Sequence, residues 1–314
     1  MIIGHDTIVA YLSKLIEQDN PVHAYLFYGP SRIGKLTVAL WFAKALVCQT
    51  NGATKPCDMC ESCKAFKKKM HPDFVILNKS REEDITIAEI RSLKNTLSLS
   101  AFYNSYKIVI INPAENLSRD ASHAFLKILE EPPQKSIFIL INETSDSLLP
   151  TILSRVEAIP FQRLSKQIVI HALENNYSEE QKQFIAKRAS GKIGIAFNWS
   201  AEKIKAHIEE EKQVLAILKA PSYQKIILVE NSVKKNKMKI HTATRILRDI
   251  LLTKLGLTHL ASSHYLQPEY RKIAPRFSVP SLKNALQNLI KFPQEYKNNT
   301  NKLLLWHTVF LNVS

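Results

Sequence analysis

Four cysteines fall within residues 48–63: Cys48, then Cys57, Cys60 and Cys63 as a C-x-x-C-x-x-C run. Thiolates favour Zn²⁺, and four of them fill its tetrahedral shell. The two-residue spacers let consecutive sulfurs turn toward one ion, and Cys48 can approach from the end of the helix before it. With no ligand position left for water, Cys48, Cys57, Cys60 and Cys63 read as a structural zinc site rather than a catalytic one. Cys₄ sets also hold iron–sulfur clusters, and four reduced, partly buried thiols are the plain structural alternative. Lys64, Lys67, Lys68 and Lys69 follow at once; they either offset thiolate charge or face solvent.

A second constellation is "GPSRIGKLT", residues 29–37. Gly29, Gly34 and Lys35 fit the phosphate-loop pattern G-x-x-x-x-G-K-[ST]. Amides of a glycine-rich turn at a helix N-terminus bind anions, and Lys35 would reach the terminal phosphates. The chain holds only 7 glycines, so two inside one such pattern are informative. Leu36, however, stands where the pattern has the Mg²⁺-binding hydroxyl, and Thr37, one position on, should point to another side of the helix. An ATPase also needs an Asp for Mg²⁺ and a Glu to orient water at the end of a neighbouring buried strand. "KIVIINPAEN" is that strand, with Asn112 and Pro113 in those two places. An amide brings no anionic charge and proline no base. Glu115, two residues on, reads as a helix-start residue. These losses at a single site predict a chain without intrinsic ATPase activity. Passive ATP or ADP binding at Gly29, Gly34 and Lys35 stays open.

The elements that must position these groups follow from hydrophobic periodicity. "TIVAYLSKLIEQ" has helical spacing. "HAYLFYG" reads as a strand, and "KLTVALWFAKALVC" as a helix of strong formers; strand, glycine loop and helix is the context a phosphate loop requires. "DFVILN" is a strand, and Thr86 with Glu89 offers a capping box for the helix "TIAEIRSLKNTLSL". "YKIVIIN" and "KSIFILIN" are apolar runs suited to buried parallel strands. The helix "LSRDASHAFLKILEE" is stopped by Pro132 and Pro133. Such alternation predicts a parallel α/β domain. Beyond "FQRL" only helical patterns remain. The expected organisation is an α/β domain over 1–163 with a Cys₄ module (48–63) inserted, a small helical unit over 164–205, and a larger one over 206–314.

At 314 residues the chain is long for one core, and 45% hydrophobic with 23% charged residues is an ordinary globular balance. The net charge of +15 favours an anionic partner such as nucleic acid, although a solvated basic surface gives the same count. "KKNKMK" (234–239) reads as a solvated loop. The N-terminal stretch carries charges at helical spacing and is no signal peptide. No apolar run approaches the roughly 20 residues of a membrane span. The expectation is a cytoplasmic protein, a reducing setting in which clustered cysteines bind metal.

"HAYLFYGPSRIGK", the cysteine spacing, "KIVIINPAENLS", "AFLKILEEPP" and "LPTILSRV" stand in the order found in bacterial clamp-loader subunits of DNA polymerase III, of the AAA+ class, which the chain resembles over 1 to about 165. The match is best to the delta-prime branch, its stators, whose acidic strand ends in a D-P-A-[DE] run like "NPAE". The motor branch, gamma and tau, carries D-E there and a complete G-K-[ST] loop. The resemblance implies an AAA+ P-loop-type domain followed by an all-α lid and an all-α collar that packs into a hetero-pentamer with gamma/tau and delta. It implies a non-catalytic subunit that helps load the sliding clamp on primer–template DNA. Ser154-Arg155 matches the S-R-C motif, with Val156 for the cysteine, so Arg155 would be an arginine finger inserted in trans at a neighbour's ATP. Asn142 lies near the family's γ-phosphate sensor, and Ile193-Gly194 replaces the second sensing Arg of the motors; Lys192 nearby lacks the Arg fork. The alternatives are an ATP-hydrolysing gamma/tau-type motor and a free-standing zinc-containing DNA-binding protein.

Overall fold

A computed structural model describes residues 2–50, 55–80, 82–103, 106–173, 177–234, 239–262, 266–297 and 302–313. Most of the basic run 234–239 lies outside them. Chain contacts divide the molecule into two compact units, one of residues 1–174 with 189–197 and one of 175–188 with 198–314.

The first unit is built on five strands: β1 (Ala24–Tyr28), β2 (Phe74–Asn78), β3 (Lys107–Asn112), β4 (Ser136–Asn142) and β5 (Glu157–Pro160). Their order is β2-β3-β4-β1-β5, and every neighbouring pair is parallel. Side chains alternate across a strand, so β1 to β4 each feed two cores, while β5 gives Ile159 to one of them. Tyr25, Phe27, Ile108, Ile110, Ile137 and Ile139 pack on one face with α1 (Asp6–Glu17) and α2 (Lys35–Leu46). Ala24, Leu26, Val109, Ile111, Phe138 and Leu140 pack on the other with α4 (Ile87–Ser98), α5 (Arg119–Glu130) and α6 (Pro150–Leu153). A short helix α3 (Glu61–Lys67) sends Phe66 into the first of these cores.

Local chemistry sets the helix ends. Thr86 and Glu89 form the expected capping box of α4. At the other end of α4 the buried Lys107 of β3 donates to the carbonyls of Thr96 (2.8 Å), Leu97 and Leu99. An ammonium has three donors and no acceptor, and a helix C-terminus offers unpaired carbonyls at the negative end of its dipole. β5 and the short helices α3 and α6 carry no strong pattern in the sequence and were not expected from it.

The second unit is helical: α8 (Glu179–Ala189, whose last residue groups with the first unit), α10 (Ala201–Lys219), α11 (Ser222–Lys234), α12 (Ile240–Lys254), α13 (Gln267–Ile273), α14 (Val279–Lys297) and α15 (Lys302–Leu311), with α7 (Lys166–Ala172) and α9 (Ile193–Ala196) belonging to the first. Its core joins Leu215 and Leu218, Ile246 and Ile250, Tyr270, Leu282 and Leu289, and Trp306 and Phe310. Beside that core lies a buried ionic knot. Glu211, 0% exposed, accepts from both Arg188 and Arg245. The same two guanidinium groups donate to His207 Nε2. Arginine can only donate, so Nε2 is the bare acceptor and His207 is neutral. Burial, then the charges of Arg188 and Arg245, lower its pKa to about 3.

That depressed pKa carries a pH signature. Below the ordinary histidine value of about 6.5 the unfolded chain takes up a proton that the fold refuses, so stability falls as pH drops from there toward 3. Thermal unfolding followed from pH 7.5 to 5 should show a falling Tm, and His207→Gln should flatten the slope. An unchanged slope in the variant would remove His207 as the cause.

Candidate nucleotide-type cavity and cysteine cluster

In a parallel sheet all C-terminal strand ends emerge at one edge, where ligands of such folds bind. Here β1 runs into the glycine loop, β2 into Lys79, β3 into Asn112-Pro113 and β4 into Asn142-Glu143. These segments border a cavity of about 520 Å³. Gly29 has φ 142°, and a Cβ there would lie 2.2 Å from the Phe161 carbonyl oxygen. Gly34, φ 110°, is the N-cap of α2. Both glycines are therefore required by the backbone itself. The first amides of α2 have no helical partners, which leaves an anion cradle at its N-terminus. Lys35, which would reach a terminal phosphate, is buried and donates to the carbonyls of Gly29 and, at 2.7 Å, Pro30.

The departures from the ATPase pattern take concrete form. Leu36 is half-buried against the apolar core of α2. Thr37 also borders the cavity, where the sequence placed it on another side of the helix; the cavity is wide enough to take in both positions. The Asn112 amide donates to Asn78 Oδ1 at 2.7 Å, which ties it sideways to β2. Glu115 sits in a 3₁₀ turn, Ala114–Asn116, at the cavity rim. Asn142 donates to Ser147 Oγ at 2.5 Å while its buried Oδ1 has no partner among the described residues. Gly194 donates its N–H to the Arg32 carbonyl at 2.9 Å, and a Cβ there would come within 3.1 Å of that oxygen. A backbone clasp thus fills the position that resembled a sensing arginine. The cavity offers cations and amides to an anion, with Leu36 and Asn112 in the two positions where the ATPase pattern has the Mg²⁺-holding hydroxyl and Asp.

His5, Arg32 and Lys79 also line the cavity and were not singled out from the sequence. The strand-end rule would have found Lys79, whose ammonium pairs with Glu89 at 3.0 Å. No local signal marks His5, which reaches the loop by donating Nε2–H to the Ile33 carbonyl at 2.9 Å.

The four cysteines converge. Their sulfurs all lie within 4.8 Å of one another, and Cys57 and Cys63 are 4.0 Å apart. Tetrahedral bonds of about 2.3 Å put sulfurs about 3.8 Å apart, so the cluster has the dimensions of a single-ion cage. Cys48 follows the end of α2, and Cys60 caps α3 by accepting from the Cys63 amide. The Cys60 amide likewise donates to Cys57 Sγ at 3.3 Å. Hydrogen bonds from Thr50 and from the Cys60 and Met59 amides lower the Cys57 pKa to about 5, whereas burial and Cys60 push Cys63 up. Lys64, Lys67, Lys68 and Lys69 are exposed.

The module is bolted to the sheet. Ser62 Oγ donates to the Val47 carbonyl at 2.6 Å and meets His71 Nε2 at 2.8 Å. With its one proton committed to Val47, the hydroxyl must accept from Nε2–H, while Nδ1 accepts from the Asp73 amide. His71 is held in the tautomer that cannot deprotonate Ser62, so this Ser–His pair is scaffold.

Arg155 stands apart from the cavity and the cysteines, just past α6. It pairs with Glu130 (3.0 Å) and donates to the Thr151 carbonyl (3.0 Å) and Ser154 Oγ (3.1 Å). Val156 packs against the core of that face.

The family model described as DNA polymerase III, delta subunit, matches residues 4–165. DNA polymerase III subunit delta' of Bacillus subtilis is 35% identical over 182 residues, 57% of this chain and 54% of that one. The Pseudomonas aeruginosa delta' subunit is 32% identical over 182 residues, 56% of each chain. The B. subtilis tau subunit is 31% identical over 182 residues, 58% of this chain and 32% of its own. The chain thus spans about half the length of the delta' relatives it matches, 54% and 56%. A DNA polymerase III gamma subunit-related protein from Thermotoga maritima shares the fold, with TM-score 0.51 at 18% identity over 96% of this chain and 97% of that one. The parallel α/β domain followed by helices that the sequence leads one to expect is the architecture observed. No helix among the described residues is long and apolar enough to cross a membrane.

The backbone demand at Gly29 is directly measurable. Gly29→Ala should cost about 1–3 kcal/mol in denaturant unfolding. Wild-type stability would mean that the close approach to Phe161 is not maintained.

Proposed function

We propose a stator role for this chain, which belongs to the DNA polymerase III delta-subunit family matched over residues 4–165. As a delta-prime-type subunit it assembles with gamma/tau and delta subunits and helps load the sliding clamp onto primer–template DNA. The observation that carries the reading is the cavity at the sheet edge. It keeps the phosphate-loop backbone of Gly29, Gly34 and Lys35 but has Leu36, Asn112 and Pro113 where Mg²⁺ and water would be handled. ATP chemistry is then served in trans. Arg155, partly exposed at the end of α6, is available to a neighbour's triphosphate, where a fixed guanidinium stabilises charge developing on the γ-phosphate. The basic net charge of +15 suits a ring around DNA.

The likeness to the B. subtilis tau subunit favours a second reading, a motor that hydrolyses ATP itself. The chain alone, tested with primed DNA, separates the two. Turnover abolished by Lys35→Ala would establish the motor. In a reconstituted complex, Arg155→Ala should leave assembly intact and lower ATPase and clamp-loading rates by about tenfold or more, a conservative share of what such fingers contribute. Rates equal to wild type in an assembled complex would rule the finger out.

For the cysteine cluster we infer structural zinc held by Cys48, Cys57, Cys60 and Cys63, since a closed set of four sulfurs leaves no open coordination position. Elemental analysis should give about one zinc per chain, and Cys63→Ala should lose the metal and lower Tm. Folded, metal-free protein with an unchanged Tm would refute the assignment.

A further inference from the structure

We propose that Glu130 is a positioning residue for Arg155, holding the guanidinium ready on the surface before a neighbour's nucleotide arrives. The inference rests on the reading of Arg155 as a finger and adds a partner that the sequence pattern did not supply.

Glu130 is the last residue of α5, and Glu131 follows as its C-cap. Two carboxylates at the negative end of a helix dipole are electrostatically misplaced. Arg155 resolves the misplacement at Glu130, its Nη2 lying 3.0 Å from Glu130 Oε1. The guanidinium sits at the end of α6 as well, where Nη1 donates to the Thr151 carbonyl at 3.0 Å and to Ser154 Oγ at 3.1 Å. One cation therefore serves two helix C-termini. A guanidinium has five N–H donors; those without a partner among the described residues are left for an incoming anion.

The exposure of the pair decides between holding the finger in place and holding it back. The two side chains are 36% and 50% exposed. An ion pair so open to water is weak and screened, too weak to keep a guanidinium from a polyphosphate. It is strong enough to narrow the rotamers of a long, flexible side chain, which is what preorganisation requires. Glu130 touches no nucleotide in this scheme and acts only through Arg155.

The test uses the complex reconstituted with motor and delta subunits, with assembly checked by gel filtration. Glu130→Gln should lower the DNA-stimulated ATPase kcat about threefold, the share an exposed pair can contribute, and leave KM for ATP unchanged. Glu130→Asp should restore most of that loss. In an Arg155→Ala background Glu130→Gln should have no further effect, because the two act as one unit. A wild-type kcat in Glu130→Gln, a raised kcat, or an equal loss without Arg155 would overturn the proposal. If Arg155→Ala alone is without effect, the finger reading fails and takes the role of Glu130 with it. If Arg155→Ala lowers the rate and Glu130→Gln does not, only the positioning role fails.

Discussion

No two neighbouring strands of this sheet run antiparallel, so no tight hairpin can join them and each return crosses a face of the sheet. That single constraint organises the first unit. Crossing helices bury both faces, which is why β3 and β4 read as near-continuous apolar runs and why their side chains divide between two cores. It also sends every strand's C-terminal end to the same edge. The glycine loop, Asn112-Pro113 and Asn142 are far apart in the chain and meet because the strands leave them nowhere else to go.

Legibility in the sequence followed the strength of local patterns. β1 to β4, the capping box of α4 and the cysteine cluster each had a signature a few residues long. β5 had none: it is four residues with a single fully buried side chain, Ile159. The knot of Arg188, His207, Glu211 and Arg245 was invisible for a different reason. Glu211 lies four residues after His207 on a charged helix face, and it is buried only because guanidinium groups arrive from 23 and 34 residues away. Arg155 and Glu130 both stand in motifs read from the sequence, "LPTILSRV" and "AFLKILEEPP", but neither motif says that the two side chains pair. Cys48 and the C-x-x-C run were read correctly as neighbours because their spacing already limits where the sulfurs can go.

The glycine loop shows how backbone geometry can hold a shape without a ligand. Gly29 and Gly34 are held by backbone geometry whether or not nucleotide binds, so the loop's shape does not depend on Leu36, Asn112 or Pro113. The positions that depart from the ATPase pattern make local contacts instead: Asn112 with Asn78, Leu36 with the α2 core, Gly194 with Arg32. The Ser62–His71 pair makes a related point, since its distance alone suits a nucleophile and its base. The direction of the hydrogen bond, fixed by Val47, removes that possibility.

The cysteine module also bears on the order in which the chain can fold. It lies in the connection from α2 to β2, where α3 is the one regular element among the described residues. Ordering such a stretch exacts chain entropy that few apolar contacts repay. An ion gripped by Cys48 and Cys63 would close this loop near its start, much as a crosslink does, and would shorten the effective tether between β1 and β2. The pairing of β2 with β3 would then begin from a chain already folded back on itself, with Ser62 and His71 marking where the shortened tether meets the sheet.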